Sequence, residues 1–238
     1  MGTFVLIHGA GSGAWVWHKV APRLEHQGHT VITPDLPGHG RNPRPMVEIT
    51  LARYADSVCD ILRAQSEPVV LVGHSLGGAV ISQAAEACPE KIQTLVYLAG
   101  YLLRNGESPL DISQTDSESL MMGTAVFSDD QLSATCQPEA LQELGYADCS
   151  AEDLALVRSL ITPQAVAPLS TPVQITAERA GRVPKVYILC TQDKVIGPAT
   201  QRRMAEAGGC DRLLTLDTSH NPYLSAPQAV ADCLLTVL

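Results

Sequence analysis

A serine stands between two glycines in Gly73-His74-Ser75-Leu76-Gly77, where the apolar run Val69–Val72 gives way to a helical pattern. A turn that tight between a strand and a helix leaves no room for side chains at its flanks, hence glycine, and it lifts the serine hydroxyl above the sheet. The plainer alternative is a glycine-rich turn that happens to contain Ser. A serine hydroxyl attacks a carbonyl only when a base takes its proton. Histidines occur at 8, 18, 26, 29, 39, 74 and 220. His8 and His74 lie inside glycine turns, and His18, His26, His29 and His39 fall on or beside the first helix pattern; structural or surface roles are expected for all six. His220, in "LDTSHNPYLSAP", follows the last strand pattern and hangs over the edge where Ser75 is expected. An orienting carboxylate is available at Asp193, just after the run Lys185–Cys190. Asp211 precedes a strand, at the wrong end, and Asp217 is a rival closer to His220 in sequence.

Nucleophile, acid and base in the order Ser75, Asp193, His220 point to acyl transfer, which develops negative charge on a carbonyl oxygen. Two backbone donors can meet that charge: Leu76 N–H, next after the serine, and Ala10 N–H in the first loop, "IHGAGSGAW". Gly9 is expected to leave space beside this oxyanion site. The same loop resembles part of a dinucleotide-binding fingerprint, with Asp35 placed where a ribose-binding acid would fall. The serine, acid and base explain more residues, so no cofactor and no metal is expected.

Elements of two periods must position these groups. The runs at 3–7, 30–34, 68–72, 93–99, 185–190 and 212–216 are near-continuous apolar runs rather than alternating ones, as parallel strands covered on both faces are. Amphipathic helices separate them. One carries Leu51, Tyr54, Ala55, Val58, Ile61 and Leu62 on a single face, with Thr50 as cap; Ser225 and Gln228 are expected to cap the last. The alternation predicts a doubly wound, mostly parallel six-stranded α/β sheet. Between Ala99 and Pro184 no strand is evident, and "SDDQLSATC", "QPEALQELG" and "SAEDLALVRSLI" each open like a helix. One domain over 1–238 is expected, with a core of 1–101 and 183–238 and an inserted helical lid at about 102–182.

Sixteen basic against 25 acidic residues give a net charge of −9 without a basic cluster, which argues against nucleic-acid and membrane partners. The N-terminal stretch is not expected to be a signal peptide. Seven scattered cysteines with no CxxC pair fit free thiols in a reducing cytoplasm. A homodimer is left open.

The motifs "FVLIHGAGSGAWVWHKVAPRLEHQGHTVITPDLPGHG", "LVGHSLGGAVISQAA", "RVPKVYILCTQDKVIGPATQRRM" and "DTSHNPYLSAPQAVA" resemble the α/β-hydrolase superfamily over almost the whole chain. Within it the chain is similar to the branch of plant methylesterases and hydroxynitrile lyases, on the side of bacterial, pyrethroid-hydrolase-like carboxylesterases. The resemblance implies catalytic roles for Ser75, Asp193 and His220 and oxyanion roles for Ala10 and Leu76. The lyases carry a threonine, an acid and a lysine where this chain has Gly9, His74 and Asn221. That favours a serine carboxylesterase acting on a small-molecule ester; a lyase or other C–C cleaving enzyme, or a non-catalytic ligand-binding receptor, is the alternative. The aromatic candidates for a substrate wall are Tyr101, Phe127 and Tyr146, with Gly9, His74 and Asn221 beside the reacting groups.

Overall fold

The computed structural model describes residues 1–238. Six strands form one parallel sheet: β1 (Thr3–Ile7), β2 (Thr30–Ile32), β3 (Val69–His74), β4 (Ile92–Leu98), β5 (Lys185–Cys190) and β6 (Arg212–Leu216), in the order β2-β1-β3-β4-β5-β6. Alternate residues of each inner strand enter opposite cores. Phe4, Leu6, Val70, Val72, Val96 and Ile188 face one, while Val5, Ile7, Leu71, Leu95 and Leu189 face the other. Two apolar faces per inner strand are why those strand sequences read as nearly unbroken apolar runs. The amphipathic helix Leu51–Arg63 forms as expected, and Thr50 accepts from Arg53 N–H at its start. No helix is long and apolar enough to cross a membrane.

Since all six strands run the same way, the loops after β1, β3, β5 and β6 emerge at one edge. They carry Ala10, Ser75, Asp193 and His220 respectively. The chain between β4 and β5 folds over that edge. It is not wholly helical: Ala125–Phe127, Ser133–Cys136 and Gln164–Ala165 pair as a small antiparallel sheet. These strands are two to four residues long, too short to show a period in sequence. The expected helix in "SDDQLSATC" is instead a turn followed by a strand. Asp130 Oδ1 accepts from Leu132 N–H, Ser128 Oγ accepts from Ser133 N–H, and Gln131 takes a left-handed φ of 59°. Short polar side chains that bond the backbone locally favour such turns over helix starts. The helices Leu141–Gly145 and Ala151–Leu160 do form, the latter capped by Ser150. Ser225 caps nothing: it ends the short helix Pro222–Ser225 and bonds Asp148, and the last helix starts at Pro227. Gln228 bonds Asp232 within that helix instead of closing a capping box.

Candidate active site

Ser75 sits between β3 and the helix Leu76–Ala87 with φ 53° and ψ −122°, a conformation that costs on the order of 1–3 kcal/mol for a non-glycine residue. The surroundings enforce it. Ser75 N–H donates to Leu98 O, and Ser75 O accepts from Gly78 and Tyr101 N–H. The flanking glycines are needed for close approach: a Cβ on Gly73 would lie 2.4 Å from Gly77 O, and one on Gly77 would lie 2.9 Å from His8 O. With its backbone held, Ser75 lines a cavity of about 620 Å³, as does His220.

His220 is buried, and its Nδ1 lies 2.6 Å from Asp193 Oδ2. Asp193 is buried as well, with Oδ1 accepting from Val195 N–H at 2.7 Å and Ile196 N–H at 3.0 Å. The carboxylate therefore holds the ring through Nδ1, which donates to it. No hydrogen bond joins the Ser75 hydroxyl to His220 in this structure. Asp217, the rival acid, is exposed and accepts from Thr191 Oγ1 and Gln192 Nε2. Its carboxyl lies below the usual range because of those two hydrogen bonds, and it takes no part in orienting His220.

Ala10 and Leu76 both line the cavity. Leu76 is the first residue of its helix, so its N–H has no partner within it. Asp35, the acid that the dinucleotide alternative would use, is engaged with the chain around it. That carboxylate accepts from Ala14 N–H at 2.7 Å and Arg41 N–H at 3.1 Å, bracing the first loop from behind. Gly9 does not leave space, contrary to the sequence expectation. A Cβ there would lie 2.8 Å from His74 Nδ1 and 2.9 Å from Ser75 Cβ. The glycine lets these groups close up.

His8, His39 and His74 are uncharged. Burial, and His39 beside it, push His8 down to about 3; burial pushes His39 to about 4. Burial, then the adjacent His220, holds His74 well below the usual histidine range. His74 Nε2 donates to His220 O at 2.9 Å, tying the elbow to the loop that carries His220. Tyr101 and Tyr146 are buried in the cavity wall, and Phe127 stands at its rim, 43% exposed. Asn221 also lines the cavity, but its amide is committed: Nδ2 donates to Gly145 O at 2.7 Å and Oδ1 accepts from the Tyr223 hydroxyl.

Sequence reasoning missed the residues that hold these loops. Gln201, fully buried, donates to Asp193 Oδ2 at 2.8 Å. Asp116 Oδ2 accepts from Gly197 N–H in the loop after β5, and Asp148 accepts from both Ser219 N–H and its hydroxyl, next to His220. Gln164 accepts from Gly11 N–H, and Thr162 N–H donates to Gly11 O. The inserted segment is thus fastened to the loops after β1, β5 and β6. No local pattern marks Asp116, Asp148, Gln164 or Thr162, because their partners lie far along the chain; Gln201 has its partners within eleven residues, but they meet only where the helix packs on the strand before it.

The model of the alpha/beta hydrolase family matches residues 4–233. Polyneuridine aldehyde esterase of Rauvolfia serpentina is 32% identical over 98% of this chain and 94% of its own. Its crystal structure superposes with a TM-score of 0.89, covering 100% of this chain and 99% of that one at 30% identity. Salicylic acid-binding protein 2 of Nicotiana tabacum is 34% identical over 98% of this chain and 96% of its own. A pyrethroid hydrolase from Sphingobium faniae matches at 28% identity with a TM-score of 0.89, over 99% of this chain and 96% of that one.

Proposed function

The chain belongs to the alpha/beta hydrolase family, and on that premise we propose that it is a serine carboxylesterase, cleaving small carboxylic esters through an acyl-enzyme. The observation that carries this reading is the buried Asp193–His220 pair at 2.6 Å, on the wall of the cavity that Ser75 also lines. His220 Nε2 takes the Ser75 proton as Oγ attacks the ester carbonyl. The tetrahedral oxyanion is held by the Ala10 and Leu76 amides. The imidazolium then gives its proton to the leaving alcohol, and water repeats the sequence on the acyl-enzyme. Asp193 holds the imidazole in the competent tautomer and stabilises its charged form. Similarity to proteins named as esterases supports the same reaction class. Seven free cysteines, none paired, suit a reducing compartment, and we place the protein in the cytoplasm.

The cavity sets the first test. Eighteen of its 33 lining residues are hydrophobic, and Arg158, exposed, is the one that carries a permanent charge. A neutral ester with apolar bulk fits such a wall. Each buried methylene contributes roughly 0.8 kcal/mol, so p-nitrophenyl butyrate is expected to exceed the acetate in kcat/KM by about 10-fold. Equal or reversed kcat/KM values would remove the acyl chain from this cavity.

A second test separates ester cleavage from cyanohydrin cleavage. The latter needs a cation beside the departing nitrile. Asn221 is neutral and both ends of its amide are engaged. Mandelonitrile is therefore expected to release cyanide no faster than in buffer alone. Saturable release that disappears in Ser75→Ala would contradict an esterase-only enzyme. Gly9→Thr drives a side chain against His74 and Ser75, and is expected to lower ester hydrolysis by at least about 10-fold through displacement of the nucleophile. Unchanged kcat in a folded Gly9→Thr protein would show that the contact is tolerated.

A further inference from the structure

We propose that Gln201 is the positioning residue of the acid: its amide fixes which way the Asp193 carboxylate presents Oδ2 to His220. This rests on the esterase reading above. Gln201 lies one turn into the helix Pro198–Ala207, with its N–H donating to Gly197 O. A helical side chain leans toward the start of its helix, which here means toward the loop that carries Asp193. The side chain is 0% exposed. Its Nε2 donates to Asp193 Oδ2 at 2.8 Å and to Ile196 O at 2.7 Å, while Oε1 accepts from Cys190 N–H at 3.1 Å. The reverse amide orientation would set oxygen against two acceptors and nitrogen against a donor, so the partners determine the assignment.

The consequence lies at the carboxylate. A carboxylate offers about four acceptor positions. Val195 and Ile196 N–H fill those of Oδ1, and His220 Nδ1 and Gln201 Nε2 fill those of Oδ2. Only the Gln201 bond constrains Oδ2 independently of His220. It also ties that oxygen to the end of β5 through Cys190 and to the acid loop through Ile196. An amide does this without bringing a charge that would compete with the imidazolium. Removing it leaves Oδ2 steered by the ring it is meant to steer.

The test uses Gln201→Met, which keeps the length of the side chain, and Gln201→Glu, which keeps its shape but replaces the donor with an acceptor. Labelling by a fluorophosphonate reads nucleophile activation without assuming a substrate, and p-nitrophenyl butyrate separates kcat from KM. Both variants are expected to label on the order of 10- to 100-fold more slowly per folded molecule, with kcat reduced to match and KM within about two-fold. In the Asp193→Asn background, Gln201→Met is expected to add little, because its route runs through Asp193. A further loss of the full single-variant size in that background would overturn the proposal. So would Gln201→Met that is less heat-stable yet labels at the parental rate, since that is a merely structural role. Failure of the parent protein to label at all would instead count against the esterase reading.

Discussion

Ser75→Ala is expected to abolish ester turnover, by on the order of 10^6-fold, and to leave the fold intact. The size follows from cooperation within the site. Without Oγ there is nothing for His220 to activate, and the oxyanion donors have no covalent intermediate to stabilise, so the loss approaches that of removing serine, base and acid together. The fold survives because the elbow is held through the backbone: Leu98 O, Gly78 N–H and Tyr101 N–H bond the main chain of Ser75, not its hydroxyl. Alanine keeps the strain of φ 53° without relieving it. Ser75→Gly makes the complementary control, equally inactive but relieved of strain of about 1 kcal/mol or more. Purified Ser75→Ala with a parental circular dichroism spectrum and more than a few per cent of the parental rate would mean that another group is the nucleophile.

Asp193→Asn carries the next largest expected effect, a loss of about 10^4-fold in kcat. Asparagine can retain one oxygen for Val195 and Ile196 N–H. Its amide nitrogen then replaces Oδ2, which now accepts from His220 Nδ1 and Gln201 Nε2. Two donors would confront that nitrogen. The imidazole escapes by changing tautomer, which puts a proton on the nitrogen that should receive one from Ser75. Asp217→Asn serves as the matched control. That carboxylate is exposed and bonds only Thr191 and Gln192, so its loss is expected to change kcat by less than about two-fold. Should Asp217→Asn prove the more damaging of the two, the acid would have to be reassigned.

The inserted segment is tied to the edge of the sheet at several points. Asp116, Asp148, Gln164 and Thr162 fasten it to the loops that carry Asp193, His220 and Ala10. A hinge that lifted the whole segment would pull all three loops out of register. The stretch around Val126 and Phe127 has no such ties among these bonds; both side chains are more than 40% exposed and line the cavity.

Sequence alone determined what depends on neighbours in the chain. Near-continuous apolar runs marked all six strands; in the inner four each run alternates between two cores and has almost no polar face to break it. The elbow was legible because glycines at 73 and 77 are the local cost of placing Ser75 on a turn that tight. Chain order then singled out Asp193 and His220, since parallel strands bring every following loop to the same edge. Tertiary structure decided what depends on residues distant in sequence. Asp217 is three residues from His220 yet turns to Thr191, while Asp193, 27 residues away, meets the ring. Gly9 read as a vacancy, but His74 and Ser75 already fill the space beside it. The short strands around Phe127 and Cys136 owe their pairing to each other and not to any period of their own. Nothing in the residues around Gln201 marked it; packing of its helix against β5 buries it, and a buried amide must then find partners, which here are Asp193 and Ile196.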